Sequence, residues 1–173
     1  MDVTLIVDGA NVMGSRADGW WRDRAGAMAR LHGELAALAA HGVAGPVPGG
    51  AAGPAGEAVS TGEASPAGEA SPAGEASPAG EAGPAGGAAG GRWFPRIVLV
   101  VEGRARAVLG LVEPDPGVRV VAARGEGDDE IAGLAGTLPG PRIVVTADRE
   151  LRRRCEAAGA AVTGPGWLIR QFG

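Results

Sequence analysis

The sequence predicts an α/β fold, a small three-layer sandwich built on a central, mainly parallel sheet. Three observations predict it. Short β-prone apolar runs alternate along the chain with segments of helical period. One run, Ile97 to Val101 (IVLVV), is continuously apolar, as a strand covered on both faces must be. Several runs end in an acidic residue, at the sheet edge where open α/β folds bind their ligands.

Val3 to Val7 is the first predicted strand. Asp23 to Ala40 is the first helix, because Met28, Leu31, Leu35 and Leu38 recur at three- and four-residue spacing and Gly42 stops the run. Ile97 to Val101 is the second strand and Val118 to Ala122 the third, followed by a short helix over Asp128 to Thr137. Ile143 to Val145 makes a fourth strand, leading into a helix from about Asp148 to Ala158. Ala160 to Thr163 adds an edge strand and Trp167 to Phe172 a last helical turn. With helices on both faces, this order describes a doubly covered parallel sheet.

Between the first helix and second strand, residues 42–91 break the pattern. GEASPA recurs at 62, 68 and 74, with GEAGPA at 80 and a degenerate GEAVST at 56. A six-residue period would fit a β-helix, but no aliphatic residue per turn is available to bury. Proline, glycine and a regularly spaced like charge predict a disordered, extended insert interrupting one domain. The insert also distorts the charge balance. The net charge is -4, yet the five glutamates at 57, 63, 69, 75 and 81 all fall in the insert, leaving 16 arginines against 15 acids elsewhere. The total charge therefore excludes no partner.

No run approaches the length of a membrane span, and the opening MDVTLIVD carries an acid where a secretory leader needs basic charge. A single cysteine, Cys155, rules out an internal disulfide and fits a reducing compartment. A cytoplasmic protein is expected, with no membrane partner.

The acids carry the chemistry. Asp8 ends the first strand, Glu102 the second. Asp128 and Asp129 open the helix after the third, and the fourth delivers Thr146 and Asp148 in VVTADRE. A parallel sheet collects all these ends on one rim. Like charges gathered there repel unless some are protonated or a cation intervenes. Carboxylate, amide and hydroxyl oxygens suit Mg²⁺ or Mn²⁺, whereas His32, His41 and Cys155 show no zinc spacing. Such an ion can activate water against a phosphoryl group. Asp129 and Glu130 are expected to turn to other faces of their helix.

At these residues the chain resembles the NYN domains of the PIN-like nuclease superfamily, in their YacP-like branch. The pieces that carry the resemblance are LIVDGANVMG, IVLVVEGR, ARGEGDDEIAGL, IVVTADRELRRRC and GAAVTGPGWLIRQF, in that order. The resemblance implies a small α/β fold and a ribonuclease cutting RNA, endonucleolytically, with metal-activated water. It implies that Asp8, Asp128 and Asp148 hold one or two Mg²⁺ or Mn²⁺ ions. Asn11 and Thr146 would orient the ligands or the water, and Glu102, where an aspartate is more usual, would bind a second ion or act as base.

Substrate contacts are expected from SRADGWWRDR, where Arg16, Arg22 and Arg24 could grip phosphates and Trp20 or Trp21 could stack on a base. Arg149 follows Asp148 directly and is a further phosphate candidate. Two other readings compete. One is a nucleotide pyrophosphohydrolase using the same ions; the other is a non-catalytic RNA-binding or ribosome-associated module. No G-x-G-x-x-G or P-loop motif supports a dinucleotide or ATP site.

Overall fold

A computed structural model describes residues 2–49 and 91–173. Five strands form one sheet: β1 (Thr4–Asp8), β4 (Arg96–Val101), β5 (Val118–Ala122), β6 (Arg142–Val145) and β7 (Ala161–Thr163). Their order is β5-β4-β1-β6-β7 and every pairing is parallel. The register sets Asp8 opposite Val100 on one side and Val7 opposite Val145 on the other, so the strand ends that carry the acids come out on one edge.

Alternation along strands that are buried throughout builds the three layers. Leu5, Val7, Ile97, Leu99, Val101, Ile143 and Val145 face one core, where Met28, Leu31 and Leu35 of α2 (Arg24–His41) and Leu168 of α5 (Pro165–Ile169) complete the packing. Ile6, Val98, Val100 and Val144 face the other. There they meet Ile131 of α3 (Gly127–Thr137) with Leu151 and Cys155 of α4 (Arg149–Ala157). Burying each such aliphatic side chain contributes roughly 1.5–3 kcal/mol.

The crossover after β1 packs on the first face and the crossover after β6 on the second. Adjacent strands whose connections leave to opposite faces open a crevice at their C-terminal ends. In this sheet the crevice lies at Asp8. Gly9 is fitted to it: a Cβ there would lie 2.7 Å from the carbonyl oxygen of Val100 and 2.9 Å from the Met28 side chain.

Several short elements have no counterpart among the predicted ones, including the 3-10 turns Trp20–Arg22 and Gly103–Gly110. Gly9–Gly14 forms a one-and-a-half-turn helix, α1, immediately after β1. Val43–Ala44 (β2) pairs antiparallel with Arg92–Trp93 (β3). Val43 is fully buried, so the folded chain runs past the insert boundary expected at Gly42. A strand of two residues has no period to read, and its partner lies about fifty positions away. Gly42 itself, with φ of +79°, ends α2 and accepts the tight approach of Phe94. The repeats and the disorder expected of 42–91 otherwise fall outside the described residues. Among those residues, no helix is long and apolar enough to cross a membrane.

Candidate functional site

Asp8, Asn11, Glu102, Asp128 and Asp148 line one pocket of about 440 Å³ at the C-terminal edge of the sheet, with Ala10 between them. Each is aimed there by a local backbone device. Asp8 is the last residue of β1 and the N-cap of α1: its Oδ1 accepts the Asn11 N–H at 3.1 Å. Its Oδ2 accepts the Thr146 hydroxyl at 3.0 Å, from the end of β6. Thr146 is fully buried and Asp8 only 7% exposed.

Further bonds fix the segment that follows β6 against the end of β1. Asn11 Oδ1 accepts the Ala147 N–H at 2.8 Å, and Thr146 Oγ1 accepts the Asp148 N–H at 3.2 Å. Asp148 then caps α4, with Oδ1 accepting the Leu151 N–H at 2.8 Å. On the opposite wall, Glu102 Oε2 accepts the Gly127 N–H at 2.6 Å, fastening the end of β4 to the start of α3. Asp128 is the second residue of that helix, where negative charge suits the dipole.

Electrostatics mark the pocket. Burial pushes the Asp8 carboxyl above its ordinary value; the bonds from Asn11 and Thr146 oppose this, and the charges of Asp128 and Glu102 reinforce it. Asp128 is also raised, first by burial and then by Asp148 and Glu102, with Arg154 opposing. Two raised carboxyls therefore share one pocket, burial being the larger cause and neighbouring carboxylates the smaller. Asp129 turns away, and its Oδ1 accepts from Arg154 at 2.8 Å.

The predicted substrate residues divide. Trp20 lines a neighbouring depression, and Arg22 lines another with Trp21, Arg24 and Arg104. Arg149 is exposed at the first position of α4, directly after Asp148. Arg16 is committed elsewhere. It pairs with Glu34 at 2.5 Å, lies 5.3 Å from the centroid of the Phe172 ring, and its side chain is only 14% exposed. It holds the C-terminal segment to α2 and is not available to a phosphate. Its partners are 18 and 156 positions away, beyond the reach of local pattern. Met13 and Met28 line the same depression as Trp20. Their only sequence signal was apolar spacing, which reads equally as core.

No family model matches the chain, and no curated protein matches it. A solved structure does: Rae1 (YacP) from Bacillus subtilis, crystallised as a tryptophan-to-leucine point variant, aligns with a TM-score of 0.57. The identity is 15%, and the alignment covers 99% of this chain and 75% of that one. A sheet with Asp8 at its central strand end, helices on both faces and this structural likeness lead to one statement of kind: the chain has the fold of a YacP-like NYN domain.

Proposed function

We propose that this chain is a metal-dependent ribonuclease that hydrolyses RNA phosphodiester bonds, endonucleolytically, with Mg²⁺ or Mn²⁺ in the acidic pocket. The observation that carries the reading is the convergence of Asp8, Glu102, Asp128 and Asp148, from four separate segments, on one open pocket. The fold likeness supports it, since the YacP-like resemblance of the sequence implies the same chemistry.

Carboxylate, amide and hydroxyl oxygens are the donor chemistry of a hard cation, which supports the reading. Among the described residues, no three acidic, histidine or cysteine side chains stand close enough to enclose an ion directly. Mg²⁺ characteristically takes one or two carboxylates and keeps several waters, so an ion here would be held by one or two of these acids directly and by the others through water. When bound, the ion supplies neutralising charge and lowers the pKa of water. Asp8, Asp128 and Asp148 would hold it. Glu102, whose Oε2 is bonded to Gly127, would reach a second ion or take a proton through its other oxygen. Asn11 and Thr146 act as positioning residues, because their polar atoms bond Ala147 and Asp8. RNA is the partner this reading requires; association with the ribosome rests on the resemblance alone.

The deciding experiment incubates the full chain with labelled RNA in Mg²⁺, Mn²⁺ or EDTA, alongside Asp148→Asn. Cutting should require the ion and fall about 10²–10³-fold in the variant, the scale of losing one placed charge-stabilising group. Intact RNA with hydrolysed nucleoside triphosphates would replace this reading with the pyrophosphohydrolase. Metal-independent RNA binding without any hydrolysis would replace it with the non-catalytic module.

A further inference from the structure

The acidic pocket is the first of three adjoining depressions, and the other two differ from it in chemistry. The second, of about 490 Å³, shares Ala10 and Glu102 with the first. Met13, Met28 and Trp20 form its apolar walls, and Arg24 and Glu126 also border it. The third, of about 560 Å³, shares Arg24 with the second and is lined further by Arg22, Arg104 and Trp21. Carboxylates, then an apolar cleft, then guanidiniums follow one another across the surface.

We propose, resting on the ribonuclease reading, that these depressions form one track for single-stranded RNA carrying an unstacked base. The scissile phosphate lies at the acids, and the neighbouring base enters the Met13–Trp20–Met28 cleft. The phosphate beyond that base lies on Arg22, Arg24 and Arg104.

Three observations carry this. The cleft falls within the roughly 300–1,000 Å³ of ligand pockets, and its walls suit a flat aromatic ligand: thioethers make favourable contacts with rings, and Trp20 offers a stacking surface. The Arg24 guanidinium carbon lies 5.4 Å from the centroid of the Trp20 ring, which ties the base-binding wall to the cationic end. Among the described residues, none of Arg22, Arg24 and Arg104 is in an ion pair. Asp23, the carboxylate beside them, has one oxygen engaged in capping α2 through the Gly26 N–H.

The partner chemistry follows. Met13 and Met28, 1% and 2% exposed, close the floor of the cleft, and half-buried Trp20 is the wall a ligand meets, so a base that stacks there must leave its own stack. Bases in A-form duplexes cannot do so without unpairing, whereas single strands and loops can. An acyl chain or apolar peptide would fill the cleft yet leave the arginines without anions. A nucleotide strand uses both.

The test measures binding separately from cutting. A fluorescein-labelled 12-nucleotide single-stranded RNA is titrated with the full chain in Ca²⁺ and read by anisotropy, against a duplex of the same sequence and against the strand with one abasic position. Single-stranded RNA should bind at least 10-fold tighter than duplex. Trp20→Ala should weaken it about 5- to 100-fold, the range of one lost base stack, while Trp20→Phe should retain most of it. Arg104→Gln, at an exposed position, should flatten the salt dependence by about one phosphate contact. Equal affinity for duplex, or Trp20→Ala and Arg104→Gln that melt cooperatively and bind as the parent does, would overturn the track. So would failure of the parent chain to bind the strand. The two readings separate cleanly. RNA cut at full rate by both variants, with binding unchanged, removes the track and keeps the ribonuclease. Variant-sensitive binding without any cutting keeps the track and removes the ribonuclease.

Discussion

The Thr146 hydroxyl donates to Oδ2 of Asp8 across 3.0 Å, joining the ends of β1 and β6 through a fully buried bond between residues 138 positions apart. Thr146 Oγ1 in turn accepts the Asp148 N–H, so one side chain fixes two of the four pocket carboxylates. Thr146→Val keeps the shape and removes both bonds. It should cost roughly 1–3 kcal/mol of stability, by leaving Asp8 short of a donor in a buried setting. Divalent-ion affinity, read as the rise of Tm with Mn²⁺, should drop about 10- to 100-fold, the scale for a residue that orients a ligand. Thr146→Ser should restore most of both, and an unaltered Mn²⁺ response in Thr146→Val would contradict the positioning role.

Asp148 has two duties that substitution can separate. Its Oδ1 caps α4, and its carboxylate charge faces the pocket. Asparagine caps as well as aspartate, so Asp148→Asn should unfold within about 0.5 kcal/mol of the parent while losing cutting. Asp148→Ala should lose the cutting and about 1 kcal/mol besides. Denaturant melts of the pair, compared with their RNA cleavage, decide it; two variants of equal stability would show that the cap carries no weight.

Cys155 lies fully buried in the second core, and burial pushes its thiol from 9.0 up to about 11. A raised acid pKa means that the folded state holds the proton more tightly. The associated stability is therefore complete below about pH 9 and is lost as pH climbs from there through about 11. The loss should approach roughly 2–3 kcal/mol, and a Cys155→Ala variant should not show that alkaline slope. Thiol-reactive dye at pH 8 should label the native chain only at the rate of unfolding. Rapid stoichiometric labelling of folded protein would refute the burial argument.

The ribbon of Val43–Ala44 with Arg92–Trp93 closes the folded unit at the base of the insert. Replacing residues 50–90 with a short Gly/Ser linker should leave Tm unchanged or slightly higher, because a shorter loop costs less entropy to close. Deleting from Gly42 onward also removes buried Val43, and should cost about 2 kcal/mol or more in comparison. Thermal melts of the two deletions measure the difference; equal melts would make the ribbon dispensable.

The rim of acids was legible because Asp8 and Glu102 directly follow apolar strand runs, Asp148 follows one after two residues, and Asp128 opens the helix that the third run leads into. Asp8, Glu102, Asp128 and Asp148 are thus assigned to one edge by the strand pattern alone, and they line one pocket. Arg16 was not legible: its place in SRADGWWRDR pointed to a phosphate, and only folding revealed Glu34 and Phe172 around it. The six-residue α1 escaped for another reason, since one and a half turns are too few to display a helical period.

By itself, the sequence determined the α/β class, the strand ends and the identity of the oxygens they carry, because burial on both faces and backbone alternation are local requirements written residue by residue. Tertiary structure alone decided which oxygens meet. The Thr146 to Asp8 bond and the Asn11 to Ala147 bond join segments 138 and 136 positions apart. Strand order, not spacing along the polypeptide, sets such distances: a parallel sheet places β6 beside β1 although several helices and strands between them are passed first.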